Sequence, residues 1–463
     1  MTGFTRREWL RGTAALAAGA TLGGSALLDW AKAWAADAPF KPEAGAKLRM
    51  LRWNRFVVSE DIQFDKAIAA FSKATGVDIK LDKEFMDDIQ PKAAVAANVG
   101  AGPDVIWGTM SIPQLIPDKL LDVTDVANYL GERYGGWHET PKRYCVRNGK
   151  WTGLPLCMGG SYINYRTSWV KQAGFAKFPE TTDDLLKLSK ELQKIGHPGG
   201  MTLGRASGDG NAWTHWVVWA FGGKMVDEQG NVVINSPETK AALEYAKELA
   251  QYWIPGTASW NDSSNNKAFL AGEVSYTANG ISIYAKSTAD SKVEPDDKTK
   301  ADASALKAFE DNKKKMAEIA ADMDHAYYPL GPVGKPTELQ LCYPVEAFAY
   351  SKYPNACKAL LAFLMEKTQY DAWLEQSVGY FTQTLKAYDD HPVWTEDPKR
   401  RVYKDASTRS LDMGYAGPLG YAAAGVLADF VMVDMVSQVA TGQATPEEAM
   451  STAEKRAQRY YRV

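Results

Sequence analysis

Between Leu48 and Trp107 the chain alternates short apolar runs with amphipathic ones. Leu48 to Trp53 reads as a buried strand. Asp61 to Thr75 places Ile62, Phe64, Ala67, Ile68 and Phe71 on one arc of a helix, which Gly76 is positioned to end. Val77, Ile79 and Leu81 then alternate with polar residues, as a half-exposed strand requires. Pro91 to Asn98 predicts a second helix and Asp104-Val105-Ile106-Trp107 a third strand. Strands alternating with helices predict a parallel α/β sheet.

Further along, Cys145 to Pro155 predicts a hairpin across Asn148-Gly149. Thr181 with Asp184 caps a helix over Asp183–Ile195, and Ser236-Pro237 opens another with a stripe of Leu243, Ala246, Leu249 and Trp253. From Lys286 to Asp322 charges dominate, and Ala305 to Ala321 reads as a solvated helical insertion. Beyond Tyr353 the chain is helical, and Thr445-Pro446-Glu447-Glu448 starts the terminal helix.

The first residues follow another logic. Thr5-Arg6-Arg7-Glu8-Trp9-Leu10 precedes a mild apolar run, Thr13 to Leu28, too short and weakly hydrophobic for a comfortable membrane span. Ala33-Trp34-Ala35 supplies small residues where a signal peptidase reads. The pattern resembles a twin-arginine export signal and implies removal of residues 1–35 and work in the periplasm. Loss of Arg6, Arg7, Arg11, Lys32, Glu8 and Asp29 moves the net charge from −3 to −5. Such a chain has no basic field for nucleic acid or anionic lipid. No later segment reads as a bilayer span, and roughly 425 mature residues suffice for about two to three domain-sized units.

Candidate chemistry is sparse. Five histidines are scattered without ligand spacing, so no metal is expected, and neither a nucleophile elbow nor a cofactor motif occurs. Gly208-Asp209-Gly210 reads as a turn. Cys145, Cys157, Cys342 and Cys357 read as core residues or one structural bridge, whose pairing sequence does not give. Fifteen Trp and 22 Tyr provide large apolar faces with polar tips, suited to ligands bearing both C–H faces and hydroxyls.

Several segments follow one another along the chain: Phe71-Ser-Lys-Ala-Thr-Gly76-Val-Asp-Ile, Pro103-Asp104-Val-Ile, Asn148-Gly-Lys-Trp-Thr-Gly-Leu-Pro155 and Val170-Lys-Gln-Ala-Gly-Phe-Ala-Lys-Phe-Pro179. Phe221-Gly222-Gly223, Ala268-Phe269-Leu270-Ala271-Gly272-Glu273, Asn279-Gly280 and Thr441-Gly442 through Ala449 continue the order. Together they resemble the extracellular solute-binding proteins of ABC importers, and best the carbohydrate-binding, maltose-binding-protein-like branch. Arg166, Thr182 and Ser282 depart from the family's usual residues, the last at an aromatic position, so a maltodextrin ligand is not implied.

The resemblance implies an α/β, two-lobed periplasmic-binding-protein fold of type II with a helix-rich C-terminus. Residues 36–155 and 283–343 would form the N-terminal lobe, and 156–278 with 349–463 the C-terminal lobe. Hinge crossings would lie near 156–160, 276–282 and 344–348. It implies a monomeric receptor, not an enzyme and without cofactor, that hands a sugar, oligosaccharide or polyol to membrane permease subunits. The ligand-facing residues would be Trp53, Asn54, Trp107, Thr109, Tyr162, Asn211, Trp213, Trp260, Asn261, Asp262, Asn279 and Glu346. Trp216 and Trp219 would be core. A receptor for a charged solute, either a polyamine or a phosphorylated polyol such as glycerol 3-phosphate, is one alternative, with Arg52, Arg55 and Arg205 available to a phosphate. An exported glycoside hydrolase is the other.

Overall fold

The computed structural model describes residues 24–54 and 56–461. Arg6 and Arg7 lie outside them. Two sheets organise the chain. The first contains β1 (Lys47–Trp53), β2 (Asp78–Glu84), β3 (Val105–Trp107), β4 (Leu154–Gly159) and β8 (Leu341–Ala347). The second contains β5 (Tyr162–Arg166), β6 (Tyr276–Asn279) and β7 (Met323–Ala326).

In the first sheet, ordered β2-β1-β3-β8-β4, β1 runs parallel to β2 and β3, as strand–helix alternation requires. β8 enters antiparallel between β3 and β4. β1 is buried at five of its seven positions, the apolar run expected for a strand with both faces covered. The helix that follows spans Val58–Thr75 and ends at Gly76 in the left-handed conformation, φ 76°. Phe64, Ala67, Ile68 and Phe71 are buried on it, whereas Ile62 is 51% exposed. Two residues correspond to about 200° around a helix, so Ile62 cannot share a face with Phe64.

The hairpin forms at Val146–Arg147 and Lys150–Trp151, with positive φ at both Asn148 and Gly149. Thr181 and Ser236 each accept a backbone N–H two or three residues into their helices, from Asp184 and Thr239 respectively. At the C-terminus, Glu448 accepts from Thr445 N at 2.9 Å and Thr445 Oγ1 accepts from Glu448 N at 3.3 Å, a reciprocal capping box. The charged insertion is a helix, Ala303–Asp322, capped by Asp302 and burying Met316 and Ile319.

The lobe boundaries differ from the expected ones. β7 pairs with β5, so 282–326 belongs with the second sheet rather than the first lobe. Helices Pro354–Leu364 and Lys367–Ser377 pack on Val58–Thr75 and therefore on the first lobe, not the second. The chain crosses between sheets at 160–161, beside the expected 156–160, and again between β7 and β8 at 327–340. Residues 276–282 stay within the second lobe, and of 344–348 all but Phe348 lie within a first-sheet strand. The family pattern ran through both lobes in order, but only hydrogen-bond pairing decides which sheet a strand joins.

Helix Gly24–Asp37 holds a further departure. Leu27 and Ala31 are buried, and Trp34 packs edge-on against Phe363 at 5.1 Å with Phe71 at 6.2 Å. Lys41 Nζ donates to the Ala35 and Ala36 carbonyls at 3.0 and 2.7 Å, closing the helix end. The expected processing point after Ala35 falls inside its last turn. One further run, Tyr421–Ala440, is long and apolar enough to cross a membrane by length and composition, against expectation. It is interrupted at Phe430, φ 54°, and 61% buried in the second lobe, as core helices are.

Candidate functional site

Two cavities lie between the lobes and meet at Met86. The enclosed one, about 20 Å³, has room for a single water-sized occupant. The second, about 200 Å³, lies alongside it. The first lobe lines the enclosed chamber with Phe56, Met86, Leu341 and Tyr343, joined by Tyr380. Opposite stand Ser161, Asp209, Asp262, Asn279 and Ser282. One wall is apolar and aromatic; the other is polar and acidic.

The acidic wall is built on the helix Asp209–Ala220. Asp262 accepts the Gly208 and Asp209 backbone N–H groups at 3.0 and 2.7 Å, one on each carboxylate oxygen, where the helix leaves its first donors unpaired. Asp209 accepts from Ser161 Oγ at 3.2 Å and from Asn265 Nδ2 at 2.8 Å. Burial pushes the Asp262 carboxyl up to about 6, although the two N–H groups oppose the rise. Burial and the neighbouring Asp262 charge push Asp209 well above the usual carboxylate range. Asn279 Nδ2 donates to Asn266 Oδ1 at 3.1 Å and Ser282 Oγ donates to the same oxygen at 2.8 Å. Among the described residues, no Lys, Arg or His lines this chamber.

The second cavity receives Gln90, Thr109 and Ser111 from the first lobe and Arg205, Ser207 and Asn211 from the second. Ser207 Oγ donates to Asp87 Oδ1 at 2.6 Å, bridging the lobes. Arg205 is held by Asp434 through bonds of 2.9 and 2.7 Å.

The structure brings only some of the expected residues together. Asp262 and Asn279 line the enclosed chamber; Thr109 and Asn211 line its neighbour. Trp53 and Trp107 do not reach either. Both are fully buried, 4.7 Å apart, with Trp107 stacked on Phe64 and its Nε1 donating to the Tyr343 carbonyl. Trp213 is likewise core, its indole N–H bonded to the Thr202 carbonyl, as Trp216 and Trp219 are. Tyr162 is buried behind Gly160, packed edge-on against Tyr327 and Tyr403. Trp260 lies over Gly200, and Asn261 caps a local turn through Ser263 and Ser264. Asn54 is exposed at the end of β1, outside both linings.

Glu346 is fully buried on β8, pressed against Gly108 and Gly153, so its carboxyl never meets the cleft. Of the arginines considered for a phosphate, Arg52 is buried against Glu60 at 3.0 Å, Arg55 lies outside the described residues, and only Arg205 borders a cavity. The four cysteines are buried thiols. No group of three His, Cys, Asp or Glu that could hold a metal converges among the described residues.

Asp209, Ser161 and Phe56 also line the chamber, unforeseen from the sequence. Gly208-Asp209-Gly210 reads as a turn because its glycines are local signals, while the helix start that follows is set by Asp262, 53 residues away. The signal available was an Asp ahead of an apolar, Trp-rich helix.

Residues 66–402 match the family model described as bacterial extracellular solute-binding protein. A probable ABC transporter-binding protein of Deinococcus radiodurans is 22% identical over 315 residues, 65% of this chain and 67% of that one. The maltose-bound MalE3 of T. maritima superposes with a TM-score of 0.73 at 21% identity, covering 89% of this chain and 99% of the other. A ribitol-bound solute-binding protein of Agrobacterium radiobacter gives 0.69 at 16% identity, with 90% and 100% covered. Both likenesses establish the two-lobed fold.

Proposed function

We propose, from the premise that this chain belongs to the bacterial extracellular solute-binding protein family, that it binds a sugar, oligosaccharide or polyol between its lobes. It then delivers this solute to the permease of an ABC importer, working as a monomer in the periplasm. The observation carrying the reading is the divided chamber. Phe56 and Tyr343 offer faces for C–H groups, while Asp209, Asp262 and Asn279 offer partners for hydroxyls. An unmade hydrogen bond in so dry a site costs about 1–3 kcal/mol, which gives discrimination. The maltose and ribitol bound by the two structural relatives support the class without fixing the member. Arg6 and Arg7 support export by the twin-arginine route.

As the lobes stand here the chamber admits only a water-sized occupant, so a solute would enter with the lobes further apart; hinge closure around it would be the only step, with no bond broken. Thermal melting against a panel of sugars, polyols, diamines and phosphorylated polyols tests this. A saturating ligand at about 100 Kd stabilises by about 2.7 kcal/mol, so a sugar or polyol should raise the melting temperature. A rise with another solute class alone would overturn the carbohydrate assignment.

A further inference from the structure

We propose that Gly24–Asp37 is a permanent helix of the first lobe, so that processing during export cuts the chain ahead of Gly24 and not after Ala35. The inference rests on the export reading above and fixes what the exported chain retains.

A twin-arginine passenger crosses the membrane already folded, so the bond that is cut has to lie outside the folded lobe. The helix lies inside it. Leu27, Trp30, Ala31 and Trp34 fall at the spacing of one helical face. Leu27 and Ala31 are buried, and the rings of Trp30 and Trp34 stand 5.3 and 5.1 Å from Phe363. Trp34 also meets Phe71 at 6.2 Å. Phe71 comes from helix Val58–Thr75 and Phe363 from helix Pro354–Leu364, so the face is built into the lobe from two distant parts of the chain. While Leu27 is buried there, the helix cannot also be the apolar stretch that enters the membrane.

The bond after Ala35 is also held in the wrong conformation. A peptidase that reads small side chains at alternate positions takes its substrate as an extended strand, in which Ala33 and Ala35 would point the same way. In the helix they stand about 200° apart, with Trp34 between them packed on Phe363. The Ala35 carbonyl, the one a nucleophile would attack, accepts from Lys41 Nζ at 3.0 Å, and the Ala36 carbonyl accepts from the same ammonium at 2.7 Å. Reaching this bond means melting the last turn and lifting Trp34 off the lobe. Ahead of the helix, the eight residues 13–20 fit the length of a signal's apolar stretch, about 7–15 residues. They end in Ala18-Gly19-Ala20, small at both positions that are read.

Expression of the full chain in a bacterium with twin-arginine export, followed by intact mass and amino-terminal sequencing of the periplasmic protein, tests the proposal. The periplasmic form should begin at or before Gly24, with Thr21 the expected first residue. A first residue within or after the helix, Ala36 above all, overturns it. Ala31→Asp puts a carboxylate on the buried face and leaves Ala33 and Ala35 in place, so it should release the helix and yield a form beginning at Ala36. A variant that keeps the wild-type terminus overturns docking as the cause of protection. Hydrogen exchange on the full wild-type chain purified from the cytoplasm needs neither export nor a variant. Amides of residues 28–37 should exchange at least about tenfold more slowly than in an unstructured peptide, and exchange at the free-peptide rate overturns the docked helix. If the protein is absent from the periplasm, the export reading fails by itself, and the exchange result still decides whether the helix belongs to the lobe.

Discussion

The first lobe ends its parallel strands in packed indole rings, whereas the second ends its sheet in carboxylates and amides gathered at a helix start. Trp53 and Trp107 are the last residues of β1 and β3, yet their rings close on Phe64, Trp373, Phe381 and Tyr343 and leave no face free for a ligand. The guanidinium of Arg52 lies 3.8 Å from the Phe64 ring and 4.2 Å from that of Trp107, and sealing it there calls for still more aromatic cover. Across the cleft, Asp209, Asp262 and Asn279 are also buried, but each faces the chamber. Rings at strand ends thus hold the first lobe together. In the proposed reading, the polar groups opposite hold the solute.

The sharpest way to break this division is Trp107→Ala. Removing a fully buried indole from that cluster should cost about 3–5 kcal/mol, read as a lower urea midpoint, while molecules that remain folded keep the wild-type affinity for whichever sugar or polyol raises the melting temperature of the wild type. Loss of affinity at unchanged stability would place Trp107 in the site instead.

A second test asks whether the first lobe's apolar packing extends into the segment expected to be removed. Chains beginning at Gly24 and at Ala36 differ by a helix that buries Leu27 and Ala31 and covers Phe71 and Phe363. Its loss should destabilise the protein by on the order of 2 kcal/mol from apolar area alone, measured as the difference in melting temperature. Equal melting temperatures would show that the helix adds nothing to the lobe. The amino-terminal sequence of the exported protein then decides which form works in the cell.

How far the sequence spoke depended on the distance over which each feature is determined. Caps, turns and strand periods are local, so Thr181, Ser236, the Asn148-Gly149 turn and the β1 and β3 strands were legible. The partner of β7 was not, because its sheet is chosen by β5, some 160 residues earlier, as in the pair Ile163–Ala326. Asp262 and Asn279 could be placed at the cleft from the order of family motifs. Asp209 could not, since its neighbours Ser161 and Asn265 come from the crossing and from a different helix. Aromatic residues misled for a simple reason: an indole has the same apolar face whether it stacks on a sugar or on Phe64.

Glu346 sharpens the comparison, since it is a carboxyl on the wrong side. It sits in the first lobe with both oxygens buried and without a hydrogen-bond partner, beside a Gly108 N–H already spent on the Pro344 carbonyl. Burial holds its carboxyl well above the usual range. The native state therefore keeps a proton that the unfolded chain releases near pH 4.3. Its stabilising contribution is complete below that pH and is lost as pH rises through the native value, at no more than about 1.4 kcal/mol per pH unit. Glu346→Gln should remove this slope and melt higher than the wild type at pH 8, without altering ligand affinity. A variant less stable at pH 8 would mean that the ionised carboxylate has a role in the native protein.

The smallest effect is expected at Arg205, on the cleft side of the second lobe. Its guanidinium is bidentate to Asp434, which looks like a structural bond. The side chain is nevertheless 62% exposed, and Asp434 also accepts from Arg456 at 2.6 Å. Exposed pairs are worth at most about 1 kcal/mol, and here the carboxylate keeps a partner when Arg205 is removed. Arg205→Ala should therefore shift the urea midpoint less than any other substitution considered. Because Arg205 borders the larger cavity while Met86 stands between that cavity and the enclosed chamber, the affinity for D-mannitol or ribitol should be unaltered. A ligand long enough to pass Met86 would respond to the loss. Titrating Arg205→Ala with ribitol and with maltose separates a solute confined to the acidic chamber from one that spans both cavities.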